Sequence, residues 1–360
     1  MFGFGTLATL LVLVSAAVAD TMLAAVYTPG HYKVVLDPAF PVPTPGEGQV
    51  LLKVAACGIC HSDVFFLSAA RPDPRTYILG HEIVGTPTQL GPGVQNISLT
   101  QLYGVYLVDF TQPDLFHFTT GTGLNGGYAE FVLVNQAQLI PVPDGLAPEI
   151  AALASDSLIT VFKAVNNVAQ VTTGDRVLIY GAGGLGHQAV QLALHLGATA
   201  TVFAVDLRPE ARQLALDLGA EQAFDLEDLT AATGNGTFHV DKVIDFVASA
   251  AVALTVSEGV DGLANPGRIV IVGFSADSLS FASADLILAN IAVSSSTYGS
   301  QDDMRSSLDL LAQGVIRPNV TVVALEDINT ALDALKAHEV TGRMVVVPGF
   351  NSTAATNGRR

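Results

Sequence analysis

Arg176-Val177-Leu178-Ile179-Tyr180-Gly181-Ala182-Gly183-Gly184-Leu185-Gly186 is the stretch on which the fold turns. An apolar run of the buried-strand type leads into Gly-x-Gly-x-x-Gly, and the residues from His187 to Leu196 have helical spacing. Strand, glycine-rich turn and helix in that order open a dinucleotide-binding βαβ unit. Gly181 permits the tight turn, Gly183 lets the backbone approach a pyrophosphate, and Gly186 permits close packing of helix on strand. The helix start, at Gly184 and Leu185, offers unpaired N–H groups and the positive end of a helix dipole to phosphate. The next strand, Thr201-Val202-Phe203-Ala204-Val205, ends in Asp206, 20 residues after Gly186. A carboxylate there hydrogen-bonds both ribose hydroxyls and repels a 2′-phosphate, so NAD is expected over NADP. Arg208, two residues on, keeps NADP open.

Strand and helix go on alternating through Val243-Ile244-Asp245-Phe246 and Arg268-Ile269-Val270-Ile271-Val272. That alternation predicts an α/β unit, a Rossmann doubly wound parallel sheet with helices on both faces. Upstream, from Met22 to about Ile140, short β-rich runs such as Val50-Leu51-Leu52-Lys53-Val54 and Glu130-Phe131-Val132-Leu133-Val134 are broken by Gly and Pro. This part reads as a compact, irregular β domain. A helical stretch is expected near Pro148 to Val168. A helix near Asp303 to Gln313 and a strand around Met344 to Val347 close the chain.

With 360 residues there is room for two domains, and 50% hydrophobic against 14% charged residues marks a folded globular chain. A net charge of −17 and a pI near 4.6 argue against nucleic acid, because phosphate backbones need basic patches. The two cysteines, Cys57 and Cys60, form Cys-x-x-Cys, a motif that a thioredoxin-like redox pair places at a helix start after a strand in its βαβ fold, but here it lies about 120 residues before the clear βαβ unit. The apolar run Leu7 to Ala19 ends Ala17-Val18-Ala19, which fits a signal peptide over residues 1–19 and is short for a membrane span. Glycosylation sequons at Asn96, Asn235, Asn319 and Asn351 point the same way. A secretory destination is therefore expected, with no membrane span in the mature chain. If translation starts at Met22, the protein is cytoplasmic instead.

Gly58-Ile59-Cys60-His61-Ser62-Asp63, followed by Gly80-His81-Glu82, puts a thiolate and an imidazole 21 residues apart, each beside a carboxylate. Zinc takes sulfur and nitrogen donors in a tetrahedral shell, and a catalytic site keeps one position open. Cys60 and His81 would supply two of three ligands, Asp63 would accept a hydrogen bond from the other ring nitrogen of His81, and Glu82 stands in reserve. A buried thiol beside a core histidine reads equally well on these two residues alone.

Metal motif first, dinucleotide unit second and a Gly342-Arg343-x-Val345-x-Val347-Pro348 ending together resemble the zinc-dependent medium-chain alcohol dehydrogenases, of the medium-chain dehydrogenase/reductase superfamily. The likeness runs from Met22 to Pro348, including the start Met22 to Gly30 and the turn Gly126-Gly127-Tyr128-Ala129-Glu130-Phe131. It implies a GroES-like β-rich catalytic domain over 22–156, a Rossmann domain over 157–297 and a segment over 298–350 that returns to the catalytic domain. It places Asp156 at the third zinc position and makes Arg343 a late cofactor contact. One catalytic zinc is implied and no structural zinc, since the family's four-cysteine loop is missing between Tyr103 and Gly123. The implied reaction is reversible hydride transfer between an alcohol, or the matching aldehyde or ketone, and NAD. Ser62 takes the proton and hands it on through ribose, His61 or water, because Phe65 stands where relatives carry the relay histidine. Expected partners are this small-molecule substrate and, as an open alternative, further copies of the chain in a homo-oligomer. Two rivals stand beside this reading: a zinc-independent quinone reductase of the superfamily, and a non-enzymatic secreted descendant. Secretion also brings a conflict, as an oxidising lumen would join Cys57 to Cys60.

Overall fold

The computed structural model describes residues 20–68, 75–109, 119–197, 200–234, 238–248, 263–275, 278–281, 283–288 and 290–351. The expected signal peptide, the Asn235 sequon and the end of the Asn351 sequon lie outside these residues. Asn96 and Asn319 are both exposed. No helix among the described residues is long and apolar enough to cross a membrane.

Six parallel strands form one sheet in the order Gln222–Phe224, Thr201–Val205, Arg176–Tyr180, Val240–Asp245, Leu263–Ile271 and Ala292–Ser295. In chain order this is 3-2-1-4-5-6, the doubly wound arrangement whose switch point lies between Arg176–Tyr180 and Val240–Asp245. The strands alternate between two apolar layers. Val177 and Ile179 join one core with Val202, Ala204 and Ile244, while Leu178 and Tyr180 join another with Phe203, Val205 and Val243. Burial on both faces explains why these strands read as unbroken apolar runs.

The second sheet has seven strands, ordered Val320–Val323, Arg343–Val346, Gln49–Ile59, Glu82–Leu90, Tyr103–Val105 and Leu139–Pro141, with Phe131–Asn135 also paired to Gln49–Ile59. A three-stranded sheet of Val35–Pro41, Thr21–Tyr27 and Tyr77–Ile78 lies beside it in sequence. The strand Arg343–Val346 runs antiparallel to Gln49–Ile59, with Val345 opposite Gly58. So the last strand of the chain lies against the strand that leads into Cys60.

The helical stretch expected near Pro148 to Val168 is not continuous. It breaks into Pro148–Ala151, a 3₁₀ turn Ala152–Ser155, a helix Ser157–Phe162 and a π-turn Lys163–Val168. The break falls at Asp156, whose φ of −148° and ψ of −56° leave the helical region. A propensity pattern does not register one residue turned aside, because its neighbours remain good helix formers.

Gly186 opens the helix Gly186–Leu196, and a Cβ built on it would collide with the carbonyl oxygen of Gly181. Gly181 itself turns at φ +82°. Gly186→Ala is expected to destabilise the fold by about 1–3 kcal/mol, the usual range for overpacking. Urea unfolding at constant m-value measures this, and an unchanged midpoint would show that the turn relaxes without strain.

Candidate metal centre and cofactor cradle

Cys60 follows the strand Gln49–Ile59 directly and caps the short helix His61–Phe66. Its N–H donates to Asp63 Oδ2 at 3.0 Å, so the first helical turn folds back on the cysteine. Asp63 is fully buried and also accepts from the Tyr128 hydroxyl at 2.6 Å. Its other oxygen lies 3.2 Å from His81 Nδ1. That leaves Nε2 of His81 free to face the cluster, the tautomer a metal-binding imidazole needs.

Asp156 Oδ2 stands 3.5 Å from His81 Nε2 and 3.8 Å from Cys60 Sγ. Asp156 makes no side-chain cap bond to the helix it precedes. It is therefore no plain helix cap. Ligand atoms of Cys60, His81, Glu82 and Asp156 all lie within 4.8 Å of one another. Tetrahedral zinc with ordinary bond lengths requires N···O and S···O separations of roughly 3.4–3.6 Å. The N···O spacing of 3.5 Å falls in that range, and the S···O spacing of 3.8 Å lies slightly above it. Glu82 is fully buried, with one oxygen on the Arg343 guanidinium and Oε2 without a hydrogen-bond partner.

The electrostatics of the cluster favour a cation. Burial works against a charged His81, yet Asp63 and Asp156 outweigh it and hold the imidazole well above its ordinary range. Burial alone would raise Asp156, but His81 and Arg343 bring it below the ordinary carboxylate value. Burial pushes Glu82 up against the lowering pull of Arg343. Cys60, Glu82, Asp63 and Asp156 thus crowd about one imidazole and one guanidinium, a surplus of negative groups that a divalent ion would complement.

Ser62 is half-buried, with Oγ 3.6 Å from Cys60 Sγ, and so borders the cluster. His61 does not reach inward. Its ring stacks on His338 at 5.7 Å between centroids and bonds to the Leu335 carbonyl. Partial burial, then the charges of His338 and Arg343, pull its pKa down to about 4. Phe65 meets Phe274 edge to face at 5.0 Å. Both cysteines are free, and Cys57 lies in the apolar core with Val54, Ile83 and Tyr128.

On the cofactor side, Asp206 accepts from Ala182 N–H and Arg208 N–H, both at 2.9 Å, and so ties the glycine-rich turn to the following loop. Arg208 donates to the carbonyls of Val340 (2.6 Å) and His338 (3.1 Å). Its Nε is 3.6 Å from Asp206. Gly184 lies under the Arg343 side chain, where a Cβ would sit 2.8 Å from Arg343 Cδ. The Arg343 guanidinium turns away to Glu82, with Nε lacking a hydrogen-bond partner. Arg343 thus spans the cofactor turn and the metal cluster. The sequence marks the residue through Gly342-Arg343, but not this bridge.

His187 is a second residue whose importance the sequence conceals. Its Nδ1 donates to the Gly183 carbonyl at 2.8 Å and its Nε2 accepts from Asn319 N–H at 3.3 Å. Asn319 in turn accepts from Arg343 N–H at 2.8 Å. Burial pulls the His187 pKa down to about 4, so it is neutral and both nitrogens are used. The unfolded chain has the higher pKa, about 6.5, and takes the proton more readily in the window between. Stability is therefore lost as pH falls from about 6.5 towards 4. His187→Asn keeps the Nδ1 donor position and cannot protonate there. Its unfolding free energy is expected to lose up to about 3 kcal/mol less than wild type across that window. Parallel pH curves for the two proteins would contradict this.

Comparison with known proteins places these features in context. The family model for the alcohol dehydrogenase GroES-like domain matches residues 46–144, and that for the zinc-binding dehydrogenase matches 184–313. An alcohol dehydrogenase from Geobacillus stearothermophilus is 31% identical over 324 residues, covering 83% of this chain and 91% of the relative. Acetophenone reductase from Geotrichum candidum NBRC 4597, solved in complex with NAD, is 31% identical with a TM-score of 0.81 over 92% of this chain and 98% of its own. The alcohol dehydrogenase of Aeropyrum pernix is 28% identical with a TM-score of 0.80, over 91% of this chain and 100% of its own.

Proposed function

This chain belongs to the medium-chain zinc alcohol dehydrogenase family, and from that premise we propose that it oxidises an alcohol, or reduces the matching carbonyl compound, with NAD at a single catalytic zinc. The observation that carries this reading is the convergence of Cys60, His81 and Asp156 at tetrahedral spacing beside an orphaned, buried Glu82 oxygen. Two anionic ligands, thiolate and carboxylate, balance a divalent charge. Neither remaining cysteine nor any other thiolate set exists for a second ion, because Cys57 and Cys60 are the full complement.

Zinc bound there supplies Lewis acidity towards the substrate oxygen, and NAD supplies the hydride acceptor. The rest is the work of the chain. Asp63, held by Tyr128 and the Cys60 N–H, lies 3.2 Å from His81 Nδ1 and would orient the ring so that Nε2 is left for a metal. Arg343 holds Glu82 back as a reserve ligand. Ser62 Oγ, 3.6 Å from Cys60 Sγ, would take the alcohol proton. The Phe65–Phe274 pair leaves no acid or base at the helical position three residues on, and His61 is turned to His338, so the proton would leave through ribose or water. Gly181, Gly183, Gly184, Leu185 and Gly186 receive the pyrophosphate at the helix start, and Asp206 receives the ribose hydroxyls. Arg208 spends its guanidinium on two backbone carbonyls and on Asp206, which supports NAD over NADP. The boundaries that fit these roles are 22–156, 157–297 and 298–350.

Purified protein is expected to carry one zinc per chain and to reduce NAD in the presence of primary or secondary alcohols. Cys60→Ser and Asp156→Asn should lose the metal and the activity together. Ser62→Ala should keep zinc while turnover falls by roughly 10²–10⁴-fold, the usual worth of a positioned proton-transfer group. Zinc-free protein that still turns over, or a Cys60→Ser variant with full activity, would refute the reading.

A further inference from the structure

Asp156 sits at a break in its own helical stretch, so the local backbone does little to aim its carboxylate. The residue before it is held far more firmly. Ser155 is fully buried, and its Oγ donates to the Ile83 carbonyl at 2.9 Å, next to Glu82. The carbonyl of Ser155 accepts from the Tyr298 hydroxyl at 2.9 Å. That hydroxyl also accepts from the Leu107 N–H at 2.7 Å, so it is used as donor and acceptor at once.

Tyr298 is more than 140 residues away in sequence and has a left-handed backbone, with φ of +46°. A bulky residue with a Cβ adopts that region only where its surroundings impose it. The surroundings here do so on each side. Lys163 Nζ donates to the Thr297 carbonyl at 3.2 Å, and the Tyr106 hydroxyl donates to the Gly299 carbonyl at 2.8 Å. Gly299 packs on Ile159 so closely that a Cβ would stand 2.6 Å from its Cγ1. Ser300 then caps the helix Gln301–Ala312 through Asp303. The Tyr106 and Tyr298 rings lie 5.2 Å apart. A strained turn pinned at four successive residues delivers one phenol to one carbonyl, and that carbonyl belongs to the peptide bond joining Ser155 to Asp156.

We propose that Tyr298 is a positioning residue for the metal centre, its hydroxyl fixing the Ser155 carbonyl and so the direction in which Asp156 presents its carboxylate to Cys60 and His81. This rests on the zinc reading above. It adds a support that comes from the segment just after the last strand of the parallel sheet, Ala292–Ser295, rather than from the β domain that carries the other ligands. The effect passes through one peptide bond, as supporting hydrogen bonds behind metal ligands commonly do.

The test compares full-length wild type, Tyr298→Phe and Tyr103→Phe. Tyr103→Phe serves as control because its hydroxyl accepts from the Ser98 N–H at 3.1 Å and touches neither Ser155 nor the turn around Tyr298. Zinc affinity is read by competition with a metallochromic chelator, ligand geometry by the visible spectrum of the cobalt-substituted protein, and folding by thermal unfolding. Tyr298→Phe is expected to bind zinc about 10–100-fold more weakly and to shift the cobalt bands. Tyr103→Phe should change neither, whatever it does to the unfolding temperature. If Tyr298→Phe binds zinc as tightly as wild type, or Tyr103→Phe weakens it equally, the inference falls while the zinc reading stands. If wild type itself binds no stoichiometric zinc, both fall.

Discussion

A guanidinium buried against a carboxylate joins the parts of this molecule. Arg343 begins the last described strand, its stem crosses Gly184 in the glycine-rich turn, and its head pairs with Glu82, the residue after His81. Both side chains are almost wholly buried, so neither could keep its charge without the other. Removing one partner of such a pair typically costs about 3–5 kcal/mol, because the other is left charged and unpaired. The pair is thus a constraint on geometry more than a reserve of stability. It obliges the end of the chain to lie on Gln49–Ile59 and to hold the glycine-rich turn at a set distance from Cys60.

Around that pair the site is a set of nested supports. Asp63 gathers Cys60, Tyr128 and His81, and Ser155 gathers Ile83 and Tyr298. His187 gathers Gly183 and Asn319. Each supporting group joins a residue close by in sequence or next to the site to one more than 60 positions away. Such networks are costly when half satisfied and rigid when complete. Among the described residues, Glu82 Oε2 and Arg343 Nε, on the two partners of the buried pair, are left without hydrogen bonds.

Much of this was legible in the residue order. The parallel sheet followed from apolar runs separated by helical spacing, and the glycine turn with Asp206 marked its functional edge. Cys60, His81 and Asp63 were legible because strand-to-helix and turn motifs set their spacing locally. Asp156 was assigned by likeness to relatives, since nothing in Ser155-Asp156-Ser157 distinguishes a ligand from a helix cap. The helical stretch expected around it is present but broken at this residue, and one residue turned towards a distant thiol leaves no trace in propensity.

By itself, then, the sequence determined the fold class, the order of its units and the identity of the residue types that can bind zinc and a dinucleotide. Those features depend on periodicity and short-range spacing, which a chain carries in its own order. Only the tertiary structure decided which way Asp156 faces, that Arg343 reaches Glu82, that Arg208 is taken up by backbone carbonyls, that His61 stacks on His338, and that Tyr298 holds the carbonyl of Ser155. These are meetings of residues separated by tens to hundreds of positions. Their energies come from burial and from hydrogen bonds formed only once the sheets have packed.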